Sequence, residues 1–425
     1  MSSSNDQRLL LASNLRERRR FDEASQMILA VIAEDPDSGE AYFQLALTQW
    51  EMEGKKKDAL ESIEKAIGCD PETATYHALR AIILASLGKG KQAHESADEA
   101  ITLDPDLPLA RLAKAEAFME ERKWKDAEAA VRAALELDPD NESAGNMLAH
   151  VQRLQNNPAG AGETVEQLLR ENPENYYAHF NAGWAALQRG EPREAEKHFM
   201  EALRLKADFE PAREGLIESF KARSPLFRAY LSYCFFMQRF TGAAQWALII
   251  GLLVGVRIGR ALLDKVHPLA GVALAAVYLI FVLWVWLASG IGNLLILKDR
   301  TARMALTKPE KMEGAFVGGG LALGLLMALG GMATGAHGIA AAGGFLAAGS
   351  MPASLTFTNP NKGGQMLFGT LMAVCYASAI LAFLTALVNG GGISNLAANL
   401  ILPNVIIAMG CTWIGNIPAL RTVRD

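Results

Sequence analysis

Up to about residue 223 the apolar positions recur at helical spacing and are broken at every turn by charge, whereas from residue 242 onward they fuse into long uninterrupted runs. The first pattern predicts short amphipathic helices, each with one face to bury. The second predicts helices apolar on all sides and long enough to cross a bilayer, since about 20 helical residues span its roughly 30 Å hydrocarbon core. The chain is therefore expected to be all-α and to change character once along its length.

Within the first part a period is visible. Asp35-Pro36, Asp70-Pro71, Asp104-Pro105, Asp138-Pro139 and Asn172-Pro173 fall 35, 34, 34 and 34 residues apart. With repeats starting at residues 40, 74, 108, 142 and 176, the eighth positions are Leu47, Ala81, Ala115, Ala149 and Gly183, and the twentieth are Ala59, Ala93, Ala127, Ala161 and Ala195. The twenty-seventh are Ala66, Ala100, Ala134, Leu168 and Ala202, so two helices per repeat meet where side chains are small. An earlier copy from Asn5 to Ser38 carries Ala12 and Ala24, and the extra Gly39 accounts for the one longer interval. These residues resemble the tetratricopeptide repeat (TPR) family at six successive copies. The resemblance implies a right-handed superhelical solenoid over 5–223. The sixth copy has Ala207 where the proline would stand and runs into an amphipathic stretch with Leu216, Ile217 and Phe220, which reads as the capping helix a solenoid needs.

The same resemblance implies a concave groove lined by positions 2, 5, 9, 12 and 13 of each first helix. Mapped onto this chain, the candidate partner-binding residues include Gln44, Thr48, Glu51, Ile82, Ser86, Leu112, Glu116, Met119, Asn146, His150, Arg153, Tyr177, Phe180, Trp184 and Gln188. Phe180, Trp184 and Gln188 step by four along one helix face, which suits an aromatic anchor for a partner peptide. An equal reading has Phe180 and Trp184 packing on the cap or on the membrane part. The Lys, Arg and Asn set with which some relatives clamp a terminal carboxylate is mostly replaced by neutral or apolar residues.

In the second part six crossings are expected, at about 242–262, 268–289, 314–333, 336–353, 365–388 and 395–417, within a membrane domain over 242–420. The third and fourth are so close that they form either a hairpin of two helices or one re-entrant segment. Lys221, Arg223, Arg228, Arg239, Lys298, Arg300, Arg303, Lys308, Lys311, Lys362, Arg421 and Arg424 fall on the side of the N-terminus, against Arg257, Arg260 and Lys265 opposite. That bias predicts both termini in the cytosol of a bacterial inner membrane. The stretch 224–241 interleaves Phe227, Tyr230, Tyr233, Phe235, Phe236 and Phe240 with Arg228 and Arg239. It reads as a helix lying in the membrane interface or as the start of the first crossing. Gly251, Gly255 and Gly259, and Gly320 with Gly324, make flat stripes for intramolecular packing or for self-association.

Charge sharpens this division. Residues 1–223 hold 28 Lys+Arg and 41 Asp+Glu, a net −13, and the remainder is +8. An acidic soluble half argues against a nucleic-acid partner. The opening residues do not resemble a secretory signal. Cys69, Cys234, Cys375 and Cys411 fit neither a disulfide framework nor a zinc spacing and read as reduced thiols packed as small hydrophobes. No Walker loop, zinc helix or dinucleotide fingerprint occurs, so neither a cofactor nor an enzyme activity is expected. His337 with Ser350 or Ser354 lacks an orienting acid. Arg257, Arg260, Asp264, His267 and His337 all sit near span ends, Arg260 and Asp264 at pairing distance along one helix, and with no charge inside the bundle a transporter would lack a coupling group.

The stretches SPLFRAYLSYCFFMQRF, TGAAQWALIIGLLVG and NLLILKDRTARMALTKPEK are similar to a bacterial group of repeat proteins with a C-terminal membrane domain. That similarity implies the architecture and no activity. The expectation is a membrane-anchored scaffold that holds protein partners in its cytosolic groove and touches lipid through its helices. The alternative is a transporter or channel component regulated by its repeats.

Overall fold

The structure is a computed structural model. It describes every residue other than Met1, Thr241, Arg300, Thr301, Asn416, Pro418, Ala419 and 421–425. Arg300, Arg421 and Arg424 of the basic flanks therefore lie outside the described residues. All elements are helical, and the chain divides into two compact units. One comprises Met1–Arg189, Glu201–Ala207 and Phe235–Gln245; the other comprises Gly190–Met200, Asp208–Cys234 and Trp246–Asp425.

The chain begins with five helix pairs, α1 (Ser2–Glu17) and α2 (Phe21–Glu34), α3 (Gly39–Glu51) and α4 (Lys56–Cys69), α5 (Ala74–Ser86) and α6 (Gly90–Leu103), α7 (Pro108–Glu120) and α8 (Trp124–Leu137), and α9 (Glu142–Leu154) and α10 (Pro158–Glu171), followed by α11 (Tyr176–Arg189) and α12 (Pro192–Leu205). Each boundary has a local cause. Asp35, Asp70, Asp104, Asp138 and Asn172 cap the second helices at ψ of 85, 87, 95, 89 and 93°, because the proline ring that follows excludes the helical region for the residue before it. Between the first and second helix of each repeat one residue turns left-handed: Arg19, Gly54, Gly88, Arg122, Asn156 and Gly190, at φ of 59, 77, 72, 56, 61 and 79°. The expected small positions are packed, with Ala59, Ala93, Ala127, Ala66, Ala100 and Ala134 fully buried, and side chains such as Ile63, Val131 and Ile83 fill the layers between them.

In the second unit α13 (Glu210–Lys221) packs Gly215 on the ring of Phe199 and buries Leu216, Ile217 and Phe220. Next along the chain come α14 (Pro225–Gln238) and α15 (Gly242–Leu263), whose adjoining ends belong to the first unit, then α16 (Pro268–Leu297), the short α17 (Ala302–Ala305) and α18 (Lys308–Glu313). A π-helical turn, Gly314–Gly319, leads into α19 (Gly320–Thr334), followed by α20 (His337–Ala348), α21 (Ser350–Phe357), α22 (Lys362–Val388) and α23 (Asn395–Ile414). The aromatic stretch thus forms a helix of its own, α14, distinct from α15.

Among the described residues six helical segments are long and apolar enough to cross a membrane: Ala243–Leu263, Leu269–Leu297, Lys308–Thr334, His337–Phe357, Lys362–Val388 and Asn395–Ile414. Their outward positions expose Ile250, Leu326, Leu329, Ile380 and Ile406, an apolar surface of the kind that marks a membrane or protein contact. The third and fourth form a hairpin of two helices, turned at Gly335 (φ 73°). Their backbones touch because Gly324, Gly331 and Gly343 have no side chain; a Cβ at Gly331 would lie 2.5 Å from the Ala340 nitrogen. Gly251 and Gly255, in contrast, meet no atom within 4 Å, whereas Gly259 of the same stripe packs inside the chain, a Cβ there lying 3.0 Å from Leu274. Arg260 and Asp264 pair at 3.6 Å as their spacing suggested. All four cysteines are free; Cys375 and Cys411 are buried, but Cys69 is exposed at the end of α4 and does not pack as a small hydrophobe.

Candidate partner-binding face of the repeat unit

The ninth position of successive first helices places Thr48, Ile82, Glu116, His150 and Trp184 in one row across α3, α5, α7, α9 and α11. At the N-terminal end Thr48 is buried and its hydroxyl donates to the Gln44 carbonyl at 2.8 Å, while the Gln44 amide donates to Glu40. Glu51 pairs with Arg16 at 3.5 Å, and partial burial still holds its carboxyl above the usual range, against the pull of Arg16 and Lys206. In the middle, Ile82 and Met119 are half-buried and Ser86 is exposed, its hydroxyl donating to the Ile83 carbonyl. Leu112 belongs instead to the core that α7 shares with α8 and α9.

The remaining candidates are brought together. Tyr177, Phe180 and Trp184 form a ladder along α11, with ring centroids 5.4 and 6.5 Å apart. The Arg153 guanidinium lies 5.5 Å over the Trp184 ring. Gln188 donates to the Arg153 carbonyl at 3.0 Å, and Asn181 donates to the Asn146 carbonyl at 3.1 Å, so side-chain amides lock α11 onto α9. Asn146 in turn donates to Asn175 at 3.4 Å. Asn175 and Asn181 were missed at the sequence level because they fall outside the five groove positions.

Electrostatics set this region apart. Burial, and then Arg153, push the His150 imidazole down to about 3, so it is neutral at physiological pH. Burial also lowers Arg153 to about 10, with Tyr177 acting in the opposite direction. Glu116 is half-buried next in the row, and burial raises its carboxyl. Among the described residues no cation lies within ion-pairing distance of it; the titratable neighbour it influences is Tyr177, pushed up first by burial and then by Glu116. The row therefore presents an unpaired carboxylate beside an aromatic ladder.

One end of the face is met by the chain itself. Phe235 sets its ring edge-on to Trp184, at 6.2 Å and 89°, and the Arg122 guanidinium donates to the Phe240 carbonyl at 2.8 Å. Trp184 thus meets a residue of the 224–241 stretch, and nothing in sequence spacing marks Phe235 as its neighbour.

In the second unit a residue that the sequence reading passed over is buried. Glu313, at the end of α18, is 2% exposed and accepts from the Asn293 amide at 2.8 Å. The expectation of a bundle without an internal charge therefore fails. The reason is that α16 continues to Leu297, eight residues past the expected end of its crossing, and covers Glu313. Among the described residues no group of three or more His, Cys, Asp or Glu is placed to hold a metal ion.

Comparison with known proteins agrees with the repeat. Two tetratricopeptide repeat families match, one at residues 9–74 and 146–208 and the other at 84–151. A TPR protein from Parabacteroides merdae is similar in structure at 16% identity and a TM-score of 0.45, over 50% of this chain and 82% of that one. PilW, a type IV pilus biogenesis factor, is similar at 17% identity and 0.41, over 50% and 98%. A thermophilic TPR protein from Thermus thermophilus is similar at 21% identity and 0.41, over 43% and 99%. At such identities these likenesses concern the fold alone. No curated protein matches the chain.

Proposed function

We propose, from the premise that the N-terminal half of this chain is built of tetratricopeptide repeats, that the protein is a non-enzymatic scaffold. Its repeats, over 5–223, hold a polypeptide segment of a partner, and its helices over 242–420 confine that complex to a bilayer. Such confinement raises local concentration without adding any contact. In this reading 224–241 lies at headgroup depth, and the excess of basic residues on the side of the N-terminus keeps the repeats in the cytosol of an inner membrane.

The observation that carries the proposal is Glu116. A half-buried carboxylate without a cation is unfavourable unless something complements it. Its place in the row, one repeat from His150 and beside Tyr177, suits a partner segment that brings a Lys or Arg next to an aromatic side chain. The chain's own Phe235 and Arg239 have the same composition, and Phe235 reaches the Trp184 end of the same face. The test is recovery of partners from native membranes by wild type and by Glu116→Lys. A reversed charge should abolish recovery while leaving the helical circular dichroism unchanged; undiminished recovery would remove Glu116 from the binding face. Trp184→Ala with Phe180→Ala serves less well, because it also removes the contact with Phe235.

A second reading, a transporter or channel component regulated by its repeats, is favoured by one observation, the buried Glu313. Movement of a solute by the full-length protein in liposomes would distinguish it from a pure scaffold.

A further inference from the structure

Ser289 and Asn293 lie one turn apart on α16 and point the same way. Against them α18 ends at Glu313 and enters the π-helical turn, which packs on α16 because glycines line the seam. A Cβ at Gly314 would lie 2.9 Å from the Asn293 carbonyl carbon, and one at Gly318 would lie 2.8 Å from the Gly290 oxygen. The seam is buried, with Asn293 1% and Glu313 2% exposed. Turns of this wide type recur at functional sites, where they redirect a side chain.

The hydrogen bonds here are incomplete in a specific way. Asn293 donates to Glu313 Oε2 at 2.8 Å, and Ser289 donates to the same oxygen at 3.5 Å. The other atom of each fork, Glu313 Oε1 and Asn293 Oδ1, is buried and has no donor. Two acceptors are thus left over on two residues already joined through their other atoms. An ionised carboxylate held by so few donors in a buried seam is strongly disfavoured.

The charged groups nearby do not cancel it. Lys221 of α13 runs its stem along Gly292, donates to Glu218 at 2.9 Å and lies 5.5 Å over the Phe227 ring. Glu310, one turn before Glu313, is engaged by Arg213 at 3.1 Å, and Arg213 also pairs with Glu210. The carboxylates Glu210, Glu214, Glu218, Glu310 and Glu313 therefore face two cations, Arg213 and Lys221. The π-helical turn and α21, which also pack on α18, carry no charged side chain. A hard metal cation needs about six oxygen ligands, and only three side chains converge here. A proton needs one acceptor.

We propose that Glu313 is a proton-binding site. Its carboxyl takes a proton from solvent on Oε1 and donates it to Asn293 Oδ1, closing a cyclic acid–amide pair that satisfies both leftover atoms. Release of the proton leaves a charged carboxylate in the seam and loosens α18 and the π-helical turn from α16, so the entry to the third candidate span is linked to proton occupancy. This does not depend on the scaffold reading, and it stands whether or not the bundle carries a solute.

The test is infrared spectroscopy of the full-length protein in lipid nanodiscs. Wild type should show the carbonyl band of a hydrogen-bonded, protonated carboxyl at mildly acid pH and lose it as the pH is raised. Glu313→Gln, whose amide can replace the acid in the pair, should fold and lose that band, and Asn293→Ala should keep the band but move it to higher frequency. If Glu313→Gln does not fold, the Asn293→Ala shift decides alone. An unchanged band in either variant overturns the proposal. So does a stabilisation by sodium over choline chloride, at equal ionic strength, that wild type shows and Glu313→Gln lacks, because the site would then hold a metal cation.

Discussion

Arg122 holds a left-handed backbone at φ 56°, where two of the other repeats have glycine within the same unit. A side chain there costs about 1–2 kcal/mol relative to a conformation it prefers, and the guanidinium offsets that cost by capping the Phe240 carbonyl. Arg122→Gly should therefore leave the thermal stability of the repeats equal or higher, by up to about 1 kcal/mol. It should also speed amide hydrogen exchange over the residues around Phe240. Unchanged exchange there would show that the arginine holds nothing. His150 makes a second prediction at this scale. Its folded value of about 3 lies below the ordinary 6.5 of an unfolded chain, so between these values the unfolded state binds the proton and the folded state does not. The stabilisation it allows is complete above about pH 6.5 and is lost as the pH falls toward 3. His150→Gln should flatten that part of the stability curve, as read by urea unfolding at stepped pH.

Helices and turns were legible wherever a local rule fixed them. The Asp-Pro and Asn-Pro closures announced the period because a proline constrains its predecessor whatever surrounds it. The left-handed turns at Arg19, Arg122 and Asn156 were silent, since their residue types do not demand that conformation. The end of α16 was misjudged because a span was measured by bilayer thickness, and the helix continues past it to Leu297, which is how Glu313 escaped notice. The partnership of Trp184 with Phe235 links positions 51 residues apart and no spacing rule reports it. Glycine roles on α19 and α20 were half visible: the stripe at Gly320 and Gly324 was seen, but its partner Gly343 was not. Since a Cβ at Gly343 would collide with the Ala328 nitrogen and the Gly324 oxygen, Gly343→Val should destabilise the hairpin by about 1–3 kcal/mol. Gly344→Val, with no atom within 4 Å, is the matched control and should be near neutral in the same detergent unfolding assay.

For the molecule as a whole, the excess of Lys and Arg flanking the candidate spans on the side of the N-terminus motivates the proposed topology. Protease added outside intact spheroplasts should spare the first 223 residues, and digestion there would reverse the orientation. The repeat architecture itself was legible from sequence because it is periodic, and the identity of a partner was not, because the face that would meet it is a product of stacking. The claim on which the account turns is that this face receives another polypeptide. A photo-reactive amino acid placed at Ile82, half-buried in the same row as Glu116, and activated in native membranes should yield a discrete adduct with a second protein, and Glu116→Lys in the same chain should abolish it. Adducts confined to the chain's own residues, or an intermolecular adduct indifferent to Glu116, would contradict it.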